Sequence, residues 1–334
     1  MYELLGVCLA LAALLATNTL GAAAAALAWR ALSRRASRWD ARTRADALFT
    51  LRVLPTAFAV FAVFALVVPA YVAHEPRQTE EVVGVKLLAL ALVSAAGVGV
   101  ALRRLLGTWT ATRRLARGWL RGAEPVRLRG VSVPAYKLPH EFPLVAVLGV
   151  FRPRLFVATS VLESLTPEEL AAVVSHERGH LRARDNLKRA LIRACQDALP
   201  LVPLGRPLTR GWQLASEEAA DEYAARRGTS QTLCLASALV KIARHVPASA
   251  KLYAPSGVFF AGEGEGDVER RVRRLLALAE RDGERPAPAR PRLLGRAALA
   301  SCSGLCAALA FTLFFADTLR AVHLLIEHAV EALR

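Results

Sequence analysis

Cysteine and acidic side chains are scarce in this chain of 334 residues. The five cysteines imply no disulfide framework, and no cysteine pair stands at zinc-ligand spacing with the histidines, so the sequence predicts free structural cysteines. Only 28 acidic residues stand against 44 lysines and arginines, which gives a net charge of +16. No concentrated basic helix with interleaved aromatic residues accompanies that charge, so we expect no direct binding of nucleic acid.

Apolar residues are abundant instead, at 54% of the chain, which is more than an ordinary soluble domain carries. Several uncharged or nearly uncharged segments are long enough to cross a bilayer. The first has no basic start, so we interpret it as a retained anchor rather than a cleaved signal peptide. The sequence thus predicts a lipid bilayer as partner and four membrane spans, at residues 4–28, 53–73, 82–102 and 297–316.

Charge predicts how these spans are oriented. Residues 74–81, between the second and third spans, are short and net acidic, whereas arginines crowd the segments after the first and third spans. By the positive-inside bias, the N-terminus lies outside, residues 103–296 form a cytoplasmic domain, and the C-terminus lies outside. We interpret the tail, residues 317–334, as a short amphipathic helix and not as a second metal site, although it contains His323, Glu327 and His328.

One short motif carries metal chemistry. Residues His176 to His180 read H-E-x-x-H, which on a helix places two imidazoles on one face with a carboxylate beside them. The helix start is also readable, because Thr166 and Glu169 form a capping box around Pro167. This is the ligand geometry of a catalytic zinc site. The alternative is a pair of ordinary hydrogen-bonded histidines.

A catalytic zinc ion usually has three protein ligands and an open position, so a third donor is needed. The acidic cluster Glu217 to Asp221 offers it, in an alanine-rich, helix-favouring stretch. We predict Glu217 as the third ligand of one zinc ion per chain, with Glu218 as the alternative. Asp221 lies on the same helix face as Glu217 and can accept the other N–H of a ligand histidine. A salt bridge within the helix is the competing role for Asp221.

Glu177 is the predicted catalytic base. A carboxylate beside a metal site can accept a proton from the attacking water and deliver it to the leaving amine. This assignment predicts an enzyme that hydrolyses peptide bonds in a protein substrate.

The coarse fold follows from periodicity. The predicted class is predominantly α: a multi-span membrane protein with a cytoplasmic α+β zincin-like (gluzincin) metalloprotease domain that contains a small sheet. Strands are predicted at Pro125–Ser132, Phe142–Val150 and Leu155–Ala158, and helices at Leu187–Leu204, Leu233–His245 and Val268–Ala279.

The residues from Val126 through Asp185, with the E-x-x-A-D pattern at Glu217 to Asp221, resemble the integral-membrane zinc metallopeptidases of the BlaR/MecR type. The resemblance implies zinc bound by His176, His180 and Glu217, a catalytic Glu177, a bacterial plasma-membrane location, and a cytoplasmic BlaI/MecI-like transcriptional repressor as substrate. Asp185 matches an acid of that family without an assigned role, and the alternative is a helix-end charge.

Members of that type that sense antibiotics carry a penicillin-binding domain with a Ser-x-x-Lys motif. The printed chain does not contain one, so sensing by acylation is not expected here, and the trigger stays open. Two alternatives also stay open. One is an HtpX-like membrane quality-control protease, which shares the pentad and the E-x-x-A-D pattern. The other is a zinc-binding signalling scaffold without turnover. Substrate identity and oligomeric state are not indicated by the sequence.

Overall fold

Helices dominate this computed structural model, which describes residues 1–76, 83–140, 143–195, 205–245, 265–280, 304 and 316–333. Three helical runs within them are long and apolar enough to cross a membrane. The first is α1 (Tyr2–Ala36) and the third is α4 (Val85–Arg121). The second, Ala41–His74, consists of α2 (Ala41–Ala62), a π-helical turn (Val63–Val67) and α3 (Val68–His74).

The first two predicted spans lie inside these runs. The third was expected to begin at Val82, which is outside the described residues, and the helix is described from Val85 onward. The fourth predicted span, 297–316, is also outside the described residues apart from Gly304 and Ala316. Membrane orientation therefore stays a prediction.

The described residues separate into two units. One contains those of Met1–Leu105, Leu191–Trp212 and Arg290–Arg334, and the other those of Leu106–Ala190 and Gln213–Ala289. In the first unit α1 packs along α2, where Thr56 donates a hydrogen bond to the amide oxygen of Asn18 at 2.9 Å. The C-terminal helix, α11 (Ala316–Leu333), packs against α3 in the same unit.

The second unit contains the end of α4, followed by a four-stranded mixed sheet of order β1-β2-β4-β3. Strands β1 and β2 are antiparallel, β2 and β4 parallel, and β3 and β4 antiparallel, so β3 is an edge strand. The strands are β1 (Glu124–Val126), β2 (Ala135–Leu138), β3 (Val145–Leu148) and β4 (Arg154–Ala158).

This sheet corrects the strand predictions. The expected strand Pro125–Ser132 ends at Val126, because the chain leaves the extended conformation before Gly130, whose φ is +81°. β2 was not predicted at all. Four residues starting after Pro134 carry too little alternation to identify a strand, and β2 is ordered by its parallel pairing with β4. The expected strand Phe142–Val150 is shorter, Val145–Leu148, and is followed by Gly149 at φ +102°.

Helix α6 (Pro167–Ala183) carries the pentad and starts where the sequence predicts. The hydroxyl of Thr166 accepts a hydrogen bond from the backbone N–H of Glu169, and the Glu169 carboxylate accepts one from the N–H of Thr166. Its apolar face, including the buried Ala172 and Val173, joins the core formed by the sheet and the helices that follow. The core holds one side of α6, and the pentad side chains lie on another.

The remaining helices complete the second unit or lead out of it. They are α5 (Thr159–Ser164), α7 (Asp185–Ala194), α8 (Arg206–Ala225), α9 (Thr229–His245) and α10 (Glu265–Glu280). The expected helix Leu187–Leu204 starts two residues earlier, at Asp185, and residues 196–204 are outside the described part. The other two predicted helices are present and extend slightly beyond the predicted bounds.

Candidate metal centre

The two pentad histidines meet at their Nε2 atoms. His176 is fully buried, and its Nε2 lies 3.1 Å from that of His180, one turn later on α6. Glu177 is buried beside them and lines the same cleft. The spacing i, i+4 therefore produces what it predicts, two imidazole nitrogens facing one point.

Helix α8 brings the third donor to that point. The Oε2 atom of Glu217 lies 3.5 Å from Nε2 of His176, and Oε1 lies 3.5 Å from Nε2 of His180. A close approach of α8 to α6 makes this possible, because a Cβ added to Gly179 would lie 3.0 Å from the backbone Cα of Ala220. A larger residue at the fourth pentad position would push the two helices apart.

These distances fit a metal ion. The three donor groups have ligand atoms within 4.8 Å of one another. Zinc held at about 2.0–2.1 Å by two nitrogens at the tetrahedral angle would place those nitrogens about 3.4 Å apart, close to the observed 3.1 Å. Two imidazoles and one carboxylate are also a donor set that suits zinc.

Each histidine is oriented by a carboxylate behind it. Nδ1 of His176 lies 2.9 Å from Oδ1 of Asp221, and Nδ1 of His180 lies 2.7 Å from Oδ2 of Asp185. An N–H on each Nδ1 donates to its carboxylate, which leaves the Nε2 lone pair free to face the metal position. Asp185, which the sequence left without a role, therefore contacts the site in the same way as Asp221.

Arg271 of α10 completes the site, and the sequence did not predict it. Its guanidinium, 1% exposed, donates from Nη2 to Oδ1 of Asp221 at 2.7 Å and from Nε to Oδ2 at 2.9 Å. Its Nη1 lies 3.3 Å from Oε2 of Glu217. This fork holds both acidic residues of α8 in place. In the sequence, Arg271 belongs to the predicted helix Val268–Ala279, where its pattern does not distinguish it from the neighbouring arginines.

The alternative ligand Glu218 is not part of this cluster. Its Oε2 lies 2.6 Å from Nη1 of Arg274, and its side chain is mostly buried. Of the two neighbouring glutamates, the structure brings Glu217 to the histidines.

This packing shifts the pKa values of the side chains at the site. Burial lowers the pKa of His176, but its hydrogen bonds with Asp221 and Glu217 outweigh burial and raise that pKa above its usual value. Burial likewise lowers the pKa of His180, and the charge of Glu217 with the hydrogen bond to Asp185 raises it well above normal. Burial raises the pKa of Asp221, but the Arg271 charge outweighs it and holds the pKa at about 2. Asp221 is thus a permanent anion.

The two glutamates differ in the balance of these effects. Burial raises the pKa of Glu177 above its ordinary value, and the nearby His180 and His176 offset only part of that rise. Burial also raises the pKa of Glu217, but His180, His176 and Arg271 hold it well below its usual range. Glu217 is therefore held as an anion, whereas Glu177 has the higher proton affinity of the two.

The site opens into a cleft of about 400 Å³. One wall is the end of β3 with the turn that follows, and another is the last two turns of α6 with the start of α7. The Asn186 amide donates to the backbone oxygens of Val147 and Gly149, at 2.9 and 3.1 Å, and so fixes the edge strand against the end of the pentad helix.

A second group of metal-type side chains lies in the first unit, at Glu75, His323 and Glu327. Here the carboxylates face opposite nitrogens of the ring, with Glu75 3.9 Å from Nδ1 and Glu327 3.4 Å from Nε2. They do not converge on one nitrogen as at the pentad. Nδ1 of His328 instead contacts the backbone oxygen of Leu324.

Residues 147–278 match peptidase family M48. The matched region contains the pentad, Glu217, Asp221 and Arg271, so this part of the chain is similar to the metallopeptidase domain of that family. Helices long and apolar enough to cross a membrane accompany it. The match does not reach the narrower BlaR/MecR type. Comparison with curated proteins found no match to the chain.

Proposed function

We propose that this protein is a membrane-embedded zinc endopeptidase. One zinc ion per chain is held by His176, His180 and Glu217, with Glu177 as catalytic base and Asp221 and Asp185 orienting the histidines. The observation that carries the proposal is the convergence of two Nε2 atoms and one carboxylate on a single point, with a buried glutamate beside it.

The chain's own residues define the chemistry. Zinc, when bound, supplies a Lewis acid that acidifies water and polarises a carbonyl oxygen. The Glu177 carboxylate accepts the proton of the attacking water and passes it to the nitrogen of the departing amine. Asp221 and Asp185 keep the histidine Nδ1 atoms as donors, so that neither ring turns its lone pair away from the metal. No nucleophilic side chain is required.

The edge strand supports an extended polypeptide as substrate. Among the described residues β3 pairs with β4 on one side only, so its other edge can accept an added strand, except at the backbone oxygen of Val147, which the Asn186 amide already occupies. That edge leads to Val147 and Gly149, which line the same cleft as the pentad. A segment lying along β3 would present its peptide bond to Glu177.

The resemblance to the BlaR/MecR type favours a bacterial plasma-membrane protein. The charge pattern supports an orientation with the N-terminus and C-terminus outside and residues 103–296 in the cytoplasm. The substrate is then a cytoplasmic or membrane-proximal protein. The resemblance to the BlaR/MecR type favours a BlaI/MecI-like transcriptional repressor, and hence a signalling role. The alternatives are an HtpX-like quality-control protease and a non-catalytic zinc-binding scaffold.

The test compares new protein N-termini in host cells that express the wild type or Glu177→Gln. The variant should keep the fold and the zinc but lose about 10²–10⁴-fold in cleavage rate, because general acid–base catalysis contributes that much. Glu168→Gln makes the same chemical change at an exposed position of α6 and should cleave like the wild type.

Termini in a single repressor-like protein, present only with the wild type and the control, would support signalling. Termini in many membrane proteins would support quality control. Equal cleavage by Glu177→Gln would refute the base assignment, and zinc binding with no wild-type termini would favour the scaffold.

A further inference from the structure

The cleft has an apolar wall and a basic end. Beyond the metal ligands it is lined by apolar side chains of the β3 end, α6 and α7, namely Val147, Val150, Phe151, Leu181 and Leu187. Two arginines, Arg184 and Arg189, line it as well. Its acidic side chains all lie at the two histidines. Asp185 contacts His180, Glu217 contacts both histidines, and Glu177 lies beside them. A ligand that fills the cleft therefore meets apolar and positive surface.

Arg184 has an unusual backbone. It ends α6 in the left-handed conformation, at φ 54° and ψ 40°, and among the described residues it is the single non-glycine residue with positive φ. The turn itself is needed, because it directs Asp185 back to His180. Glycine or asparagine would make that turn with little strain, whereas most other side chains are strained in this conformation. Backbone strain of this kind clusters at active sites and ligand-binding sites.

The Arg184 side chain is also available. It is exposed to the cleft, and no carboxylate of the described residues forms an ion pair with it. Arg184 follows the last residue of α6, seven residues after Glu177, and both side chains line the cleft. Seven residues of helix rise about 10 Å. An extended chain advances about 3.3 Å per residue, so for a substrate that runs alongside α6, Arg184 would lie about three residues from a peptide bond at Glu177.

We propose that Arg184 binds a carboxylate of the substrate, and that the preferred substrate is an extended polypeptide with apolar residues at the cleaved bond and a carboxylate within about three residues of it. This rests on the proposed peptidase function. Guanidinium pairs with carboxylate through two parallel hydrogen bonds, which gives both orientation and selectivity. The carboxylate belongs either to an aspartate or glutamate side chain or to the C-terminus of the substrate.

The experiment uses the full chain in detergent with zinc. A mixed peptide library first identifies a cleaved sequence, from which three peptides are made: one with internal glutamate and an amidated C-terminus, one with glutamine and a free C-terminus, and one with glutamine and an amidated C-terminus. Wild type is compared with Arg184→Gln and with Arg184→Gly, which keeps the turn. Arg182→Gln is the control, since Arg182 is exposed and does not line the cleft.

The wild type should cleave one of the two carboxylate peptides about tenfold better, in kcat/KM, than the uncharged peptide, as expected for a charge-assisted hydrogen bond at a partly exposed site. Both Arg184 variants should lose this preference, and Arg182→Gln should keep it. The peptide that is preferred tells an internal carboxylate from a terminal one. An equal rate for all three peptides, or a preference that survives in Arg184→Gln, overturns the proposal while leaving the peptidase function intact.

If no peptide is cleaved, a binding measurement tests the role of Arg184 separately from the peptidase function. The same peptides, labelled with a fluorophore, are titrated onto Glu177→Gln with and without Arg184→Gln, and anisotropy is measured. Tighter binding of a carboxylate peptide that depends on Arg184 supports the inference even where cleavage is absent. Equal binding of all three peptides overturns it.

Discussion

The apolar helices of the first unit and the candidate metal centre of the second differ in which side chains they expose and which they bury. In the first unit, large apolar side chains face outward, with Val85 84% and Leu20 72% exposed. In the second, charged side chains are enclosed, with His176 0% and Arg271 1% exposed. A bilayer accepts apolar surface, whereas a buried charge is tolerated only when a partner satisfies it.

The buried charges of the metal centre depend on one another. Asp221 contacts His176 and Arg271, and Arg271 also contacts Glu217. Removing one of these charged side chains leaves another charge buried without its partner. The apolar helices have no such dependence, because each contact is weak and replaceable. We therefore expect single substitutions to matter far more in the metal centre.

The largest effect should come from Glu217→Gln. The amide keeps the shape but loses the anionic donor, so zinc content should fall, and with it several kcal/mol of transition-state stabilisation, or about 10³-fold in rate. Metal analysis of the purified chain and peptide cleavage measure both. Glu218→Gln is the matched control, because Glu218 pairs with Arg274. Normal zinc content in Glu217→Gln would mean that the third ligand is another residue.

A large loss of stability should follow from Arg271→Met. The substitution leaves Asp221 and Glu217 without their buried cation, which should cost about 3–5 kcal/mol in free energy of unfolding and weaken zinc binding about 10–100-fold. The thermal midpoint and a zinc titration would report these. Arg270→Met is the control, since Arg270 is 43% exposed and pairs with Asp267 at the surface. Equal thermal midpoints for the two variants would mean that the buried Arg271 contributes no more to stability than the exposed Arg270.

A smaller, pH-dependent effect belongs to the start of α6. Burial raises the pKa of the Glu169 carboxyl, but hydrogen bonds from Lys241 and Ser237 outweigh it and hold that pKa below its usual value of 4.5. A lowered folded-state pKa adds stability that is fully present above the unfolded pKa, near 4.5, and is lost as pH falls through the folded value.

Glu169→Gln should therefore lower stability by about 1–2 kcal/mol at neutral pH, and the difference from the wild type should shrink below pH 4.5. Thermal unfolding across pH measures it. Glu168→Gln, one residue away and exposed, should show neither effect. A gap between variant and wild type that is constant with pH would show that the Glu169 charge is not the cause.

These cases also explain which parts the sequence could predict. The relation of His176, Glu177 and His180 depends on helical geometry alone, and the Thr166 cap is a local pattern. Both are encoded within a few residues, so the pentad helix and the face that carries its histidines could be predicted. Glu217 could be predicted as a candidate because acidic pairs at this spacing share a helix face.

Arg271 could not be predicted in the same way. It is one of four arginines within five residues of α10, Arg270, Arg271, Arg273 and Arg274, and only tertiary packing makes it the one that is buried against Asp221, fifty residues earlier. The strand β2 was missed for a related reason, since its order comes from parallel pairing with a strand about 20 residues later. Interactions between distant segments leave little local pattern.

The smallest effect should arise in the first unit, where Thr56 of α2 donates to Asn18 of α1. Hydrogen bonds between membrane helices contribute on average about 0.6 kcal/mol, because the separated helices also find polar partners. A double-mutant cycle of Thr56→Val and Asn18→Ala should give a coupling near that value in a detergent unfolding titration. Thr17→Val is the control, as the Thr17 hydroxyl bonds within its own helix, to the oxygen of Ala13. A coupling above about 2 kcal/mol would exceed the largest value expected for such a pair. The apolar unit would then depend on individual polar contacts, as we infer for the metal centre.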